Sequence, residues 1–96
     1  MSHTSTPDWS LLTNHGHVLL CIAQREDIRI REIAAMTGIT ERATHRIIAD
    51  LERSGFLSHE RVGPRNRYAV DVSRCSDHPL ERHLNIETLM LTHAQA

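Results

Sequence analysis

From Thr40 to Gly55 the chain places Thr44, Ile47, Ile48 and Leu51 at positions i, i+3, i+4 and i+7. That spacing lines one face of an α-helix and no face of a strand. Thr40 offers an N-cap hydroxyl, Glu41 supplies negative charge to the first turn, and Gly55 closes the pattern. Because the apolar stripe is fixed inward, Glu41, Arg42, Ala43, His45 and Arg46 are expected to point outward near the start of this helix. A helix divided in this way needs partners, and the sequence places them upstream. Between about Asn14 and Gln24, Val18, Leu19 and Ile22 share one helical face, extended backwards by Leu11 and His15. Arg29-Ile30-Arg31 reads as a short β-permissive patch, after which Ile33, Ala34 and Met36 continue as a short second helix that Gly38 stops.

Downstream of Gly55 the period changes. Phe56 to Val62 and Asn66 to Val72 are strand-like runs separated by Gly63-Pro64-Arg65, a β-hairpin with Leu57, Tyr68 and Val70 on one face and Arg61, Arg65 and Arg67 around its tip. After Pro79, the residues Leu80, Leu84, Ile86, Leu89, Met90 and Leu91 predict a terminal helix with more apolar surface than a lone tail carries. The expected organisation is a disordered tail over residues 1–8, a folded unit over 9–72 anchored first by Trp9, and a linker with a C-terminal helix over 73–96. The fold class is mainly α with a small β-hairpin. Its order of helix, short strand, helix, glycine turn, helix and hairpin is that of a winged helix-turn-helix, here with a C-terminal helix added.

A length of 96 residues suits one domain and not two. The longest uncharged run, Trp9 to Gln24, is too short and polar to span a bilayer and lacks the basic flank of a signal peptide, so a cytoplasmic protein is expected, with Cys21 and Cys75 reduced. The net charge of −1 argues against nucleic acid only until its distribution is inspected. Ile28 to Val70 holds eight arginines (Arg29, Arg31, Arg42, Arg46, Arg53, Arg61, Arg65, Arg67) against five acids, whereas each flank is acidic. Every one of the 11 cations is arginine, the side chain that grips phosphate and guanine bidentately, although genome composition alone accounts for such a bias.

Three segments carry a family resemblance: Ile33-Ala34, Gly38-Ile39-Thr40, and Leu51-Glu52-Arg53-Ser54-Gly55-Phe56-Leu57. In these the chain resembles the MarR-like and IclR-like winged-helix regulators over Asn14 to Val72. The resemblance implies a sequence-specific double-stranded DNA-binding transcriptional regulator. Its recognition helix, about residues 40–54, would enter the major groove and its wing, about 62–67, would lie on phosphate or the minor groove. The implied DNA contacts are Thr40, Glu41, Arg42, Ala43, His45 and Arg46 on the helix, with Arg61, Arg65, Asn66 and Arg67 on the wing. Chemically these types fit: Arg reaches guanine O6 and N7 or phosphate, His donates to either, and Ala meets a thymine methyl. The competing reading makes Arg46 an ion-pair partner of Asp50 and the wing charges a guard against strand aggregation.

Regulators of this type dimerise through helices outside the winged unit, so the resemblance makes Leu84, Ile86, Leu89 and Met90 a homodimer interface and the operator a palindrome; on pattern alone the helix packs equally well back on the first helix of its own chain, which implies a monomer and one short site. A nucleoid-associated cytoplasmic location goes with that function. The alternative is a winged helix that binds proteins within a larger transcription or chromosome-maintenance complex, with an unknown protein partner. Catalysis is not expected, since no phosphate loop, carboxylate pair or nucleophile elbow is present. No cofactor or metal is expected either. His17 and Cys21 have ligand-compatible i, i+4 spacing, and Cys75, His78 and His83 form a looser set, yet neither has the regularity of a metal motif, and Cys21 on an apolar helix reads as a small buried hydrophobe.

Overall fold

The computed structural model describes residues 8–74, 76–85 and 87. Its elements are α1 (Asn14–Gln24), α2 (Ile30–Thr37), α3 (Glu41–Arg53), β1 (Leu57–Val62) and β2 (Arg65–Val70). Together they form a winged helix-turn-helix, with the three helices around one core and the hairpin closing its open side. Val18, Leu19, Cys21 and Ile22 of α1 pack with Ile28, Ile33, Ile47, Ile48, Leu51, Leu57 and Tyr68. Thr44 is buried among them at 0% exposure, and its hydroxyl donates to Thr40 O at 2.9 Å. That bond lets a polar residue occupy the expected apolar stripe without an unsatisfied group.

Helix ends explain the spacing of the elements. Thr13 caps α1 and Thr40 caps α3, the latter hydroxyl accepting from Ala43 N–H at 3.0 Å. After α3, Gly55 takes φ 85°, Phe56 N–H donates to Leu51 O at 3.0 Å and Gly55 N–H to Glu52 O at 3.1 Å. These two bonds are a Schellman closure, which turns the chain straight into β1. Gly38, at φ 76°, ends α2 and makes the turn into α3.

Strands β1 and β2 are antiparallel in the register Leu57↔Val70, His59↔Tyr68, Arg61↔Asn66 and Val62↔Arg65, with Gly63-Pro64 as a two-residue loop. Gly63 has φ 62° and proline fixes the next φ near −65°, which selects a type II′ turn. Leu57 and Tyr68 are buried on the inner face and Val70 is half-buried beside them, as the alternation predicts. Asp71 N–H closes the hairpin base on Phe56 O at 2.9 Å. The Glu52 carboxylate of α3 bonds His59 Nδ1 on β1, so the wing is tied to α3 by more than covalent continuity. Past the hairpin, Arg74 Nε donates to Ser54 O at 2.7 Å and its guanidinium lies over Phe56.

Several expectations need correction. The patch at Arg29–Arg31 is not a strand: α2 begins at Ile30, because Glu32 turns back to accept from Arg29 N–H at 3.0 Å and fixes the helix start. The preceding segment meets the sheet through one backbone bond, Tyr68 N–H to Glu26 O at 2.8 Å. Leu11 precedes α1 and is exposed, Trp9 is 71% exposed and anchors nothing, and Met36 lies on the outer side of α2. Strand β2 begins one residue earlier than expected, at Arg65, because the loop needs two residues only. Of the expected terminal helix, the stretch from Pro79 to Leu84 forms turns in which Leu80 and Leu84 are exposed. Ile86, Leu89, Met90 and Leu91 lie outside the described residues, as do residues 1–7 and Cys75. Cys21 is buried as expected, and its burial pushes the thiol pKa up. Among the described residues, no helix is long and apolar enough to cross a membrane.

Candidate nucleic-acid interface

Burying Thr44, Ile47, Ile48 and Leu51 turns the other side of α3 to solvent. Thr40, Glu41, Arg42, His45 and Arg46 are all exposed there. Ala43 is half-buried at the edge of this face, where it lines a shallow groove with Asn14, His15, Arg46 and Asp50. The Arg46–Asp50 pair of the competing reading does not form. Asp50 instead bonds His15 Nε2 at 2.9 Å and Arg53 Nη2 at 2.5 Å, contacts that hold its carboxyl below its ordinary pKa, with the His15 bond as the largest cause. Among the described residues, neither Arg42 nor Arg46 has a carboxylate within ion-pair distance.

The wing differs from its expected form. Arg61 lies on the inner face of the hairpin, opposite Asn66, and its Nε donates to Gly63 O at 3.2 Å at the tip. Arg65 and Arg67 do not project freely: Arg65 Nη1 is 3.3 Å from Asp27 Oδ2, and Arg67 Nε is 3.7 Å from Glu26 Oε1. Both acids belong to the turn between α1 and α2. The hairpin therefore sets two of its three tip arginines against that turn. All four side chains are between 40% and 65% exposed, so the pairs are exchangeable with solvent or another anion.

Sequence reasoning missed Arg29, Glu26 and Asp27. Arg29 stands at the N-cap of α2, beside the wing rather than on α3. The ion pairs to Arg65 and Arg67 join residues about forty positions apart, and no local spacing encodes such a contact. Metal geometry is absent in one definite sense: no group of three or more His, Cys, Asp or Glu side chains among the described residues is arranged to hold an ion.

The arrangement presents a helix face with two unpaired guanidinium groups and, beside it, a basic hairpin. Such a surface can read base edges with the helix and grip phosphates with the hairpin. Comparison with known proteins bears on it. The sequence model of the MarR family matches residues 12–62, just over half of the chain. No curated protein sequence matches it. Among solved structures, it is similar to the PcaV transcriptional regulator from Streptomyces coelicolor, determined in complex with its natural ligand, at a TM-score of 0.55 and 17% identity. The match covers 88% of this chain and 58% of that one. At that identity the likeness establishes the fold, and the chain spans little more than half of the regulator's length.

Proposed function

Since the chain belongs to the MarR family, we propose that it is a sequence-specific, double-stranded DNA-binding transcriptional regulator whose α3 enters the major groove. The observation that carries this reading is the pair Arg42 and Arg46. They sit one turn apart on the solvent face of α3, exposed and without carboxylate partners among the described residues. Of the other nine arginines, five (Arg25, Arg53, Arg65, Arg67 and Arg74) are in ion pairs. An arginine kept free of partners is available for guanine O6 and N7 or for phosphate. His45 and Glu41 flank the pair, the first as a donor to bases or phosphate, the second as an acceptor for cytosine N4. Thr40 and Ala43 complete the set, Ala43 at its apolar edge.

Arg61, Asn66, Arg65 and Arg67 take the phosphate and minor-groove side, the last two after exchanging Asp27 and Glu26 for phosphate oxygens. The functional unit in this reading is a cytoplasmic, nucleoid-associated homodimer joined through Leu84, Ile86, Leu89 and Met90. Leu84 and the neighbouring Leu80 are exposed apolar residues that a second subunit would cover. Two-fold symmetry then predicts a palindromic operator with half-sites about 34 to 36 Å apart or a multiple of it.

Selection of bound sequences from a random duplex pool, with wild type and Arg46→Ala in parallel, tests this. Enrichment of a palindrome that changes at defined bases in the variant is the expected result. Absence of enrichment, with duplex binding indifferent to Arg42 and Arg46, would overturn it and point to a module that binds proteins.

A further inference from the structure

A second basic feature lies away from α3. Where the turn after α1 meets the wing there is a cleft of about 350 Å³, lined among others by Asp27, Arg29, Arg61, Arg65, Asn66 and Tyr68. Three arginines and one carboxylate-bearing residue line it. Arg61 and Asn66 reach it together because they are cross-strand partners on the inner face of the hairpin. Arg61 spends its Nε on Gly63 O, which leaves its terminal amino groups, and Arg65 spends one amino group on Asp27. Arg29 makes no side-chain ion pair within 4 Å among the described residues. The lining is therefore rich in unspent planar donors, which match the oxygens of a phosphate group.

Resting on the DNA-binding reading above, we propose that this cleft seats a backbone phosphate of the bound duplex, gripped by Arg29 with Arg61 and Asn66. The cleft is shallow and open to solvent, so a free anion would keep much of its hydration and gain little from entering. A phosphodiester carried in by a duplex already docked on α3 has no separate association cost, and weak contacts then add to an existing complex. The site supplies affinity and orientation rather than base discrimination, because a phosphate oxygen is the same at every base pair. It also gives the duplex a contact at the start of α2, independent of α3.

The test uses the full chain and a short mixed-sequence duplex, with affinity followed between about 50 and 200 mM salt, so that no operator need be known. Arg29→Ala should make the slope of log affinity against log salt shallower by about 0.9 for each subunit bound, the loss of one phosphate contact per subunit. Arg29→Lys should restore the slope, Asn66→Ala should weaken binding with the slope unchanged, and Arg82→Ala, at an exposed turn away from the cleft, should change neither. An Arg29→Ala slope equal to wild type, while Arg46→Ala is shallower, overturns the cleft assignment and leaves the DNA-binding reading intact. Absence of duplex binding by wild type overturns both. Inorganic phosphate is the second probe: at constant ionic strength it should leave the wild-type melting temperature unmoved. A rise that Arg29→Ala abolishes would make the cleft a free-anion site and overturn the assignment to duplex backbone. Unchanged melting of Arg29→Ala itself would establish that its binding loss is not unfolding.

Discussion

Replacing Asp27 by Asn should tighten DNA binding even though it removes an ion pair. In the free protein Asp27 lies 3.3 Å from Arg65 and 3.6 Å from Arg25, with its side chain 45% exposed and its partners 40% and 52% exposed. Pairs so open to water contribute about 0.2 to 1 kcal/mol, so the variant should lose no more than about 1 kcal/mol of stability. Against a phosphate in the adjacent cleft, the same carboxylate is a like charge. At a separation of roughly 7 Å the repulsion is about 0.6 kcal/mol at the dielectric of water and about 2.4 kcal/mol at an effective constant near 20. Screening by salt favours the lower half of that range, which corresponds to binding tighter by about three- to tenfold. Arg65 is released at the same time. Fluorescence anisotropy of a labelled duplex across a salt series, with a thermal melt of each protein, measures both quantities. Unchanged or weaker binding by a variant that melts normally would refute the reasoning, because Asp27 would then hold Arg65 in place for DNA instead of competing with DNA for it.

Three further outcomes are expected. Gly38→Ala should cost about 1 to 2 kcal/mol in a denaturant titration: no atom lies within 4 Å of the added methyl, so the penalty is the left-handed φ of 76° alone. Thr40→Ala should cost about 1 kcal/mol by removing the acceptor for Ala43 N–H at the start of α3, and should weaken DNA binding in step. Glu32 is held at a pKa of about 2, first by its bond to Arg25 and then by Arg29 N–H. A carboxyl with a folded pKa below its ordinary 4.5 contributes stability that is present above about pH 4.5 and is lost as pH falls towards 2. Glu32→Gln should therefore flatten the stability profile in that window, as read by circular dichroism on acid titration.

How much of this was legible in the chain depends on distance along it. The cap, buried stripe and glycine exit of α3 could be read directly, since all lie within sixteen positions and act locally. The inner face of the wing was equally plain, because alternation in a strand is a local property. The start of α2 was misread because Arg29, Ile30 and Arg31 suit a strand, and the deciding contact is a single carboxylate, Glu32, reaching back to the N-cap. The fate of the wing arginines was not legible at all. Their partners Glu26 and Asp27 come from a turn about forty positions upstream, and a count of charges shows how many arginines there are but not which are spent. The same holds for Arg46: the i+4 spacing to Asp50 suggested a pair, and His15 on α1 claims Asp50 instead.

The Gly63-Pro64 loop, with its two residues and fixed hand, couples how far the wing reaches to which way its last pair looks. Adding one residue to each strand would extend the hairpin by about 3.4 Å and bring a new pair to the tip. Because facing alternates at every rung, that pair would look away from the side now held by Val62 and Arg65. Two rungs, about 7 Å, are needed before a longer wing presents its end as this one does.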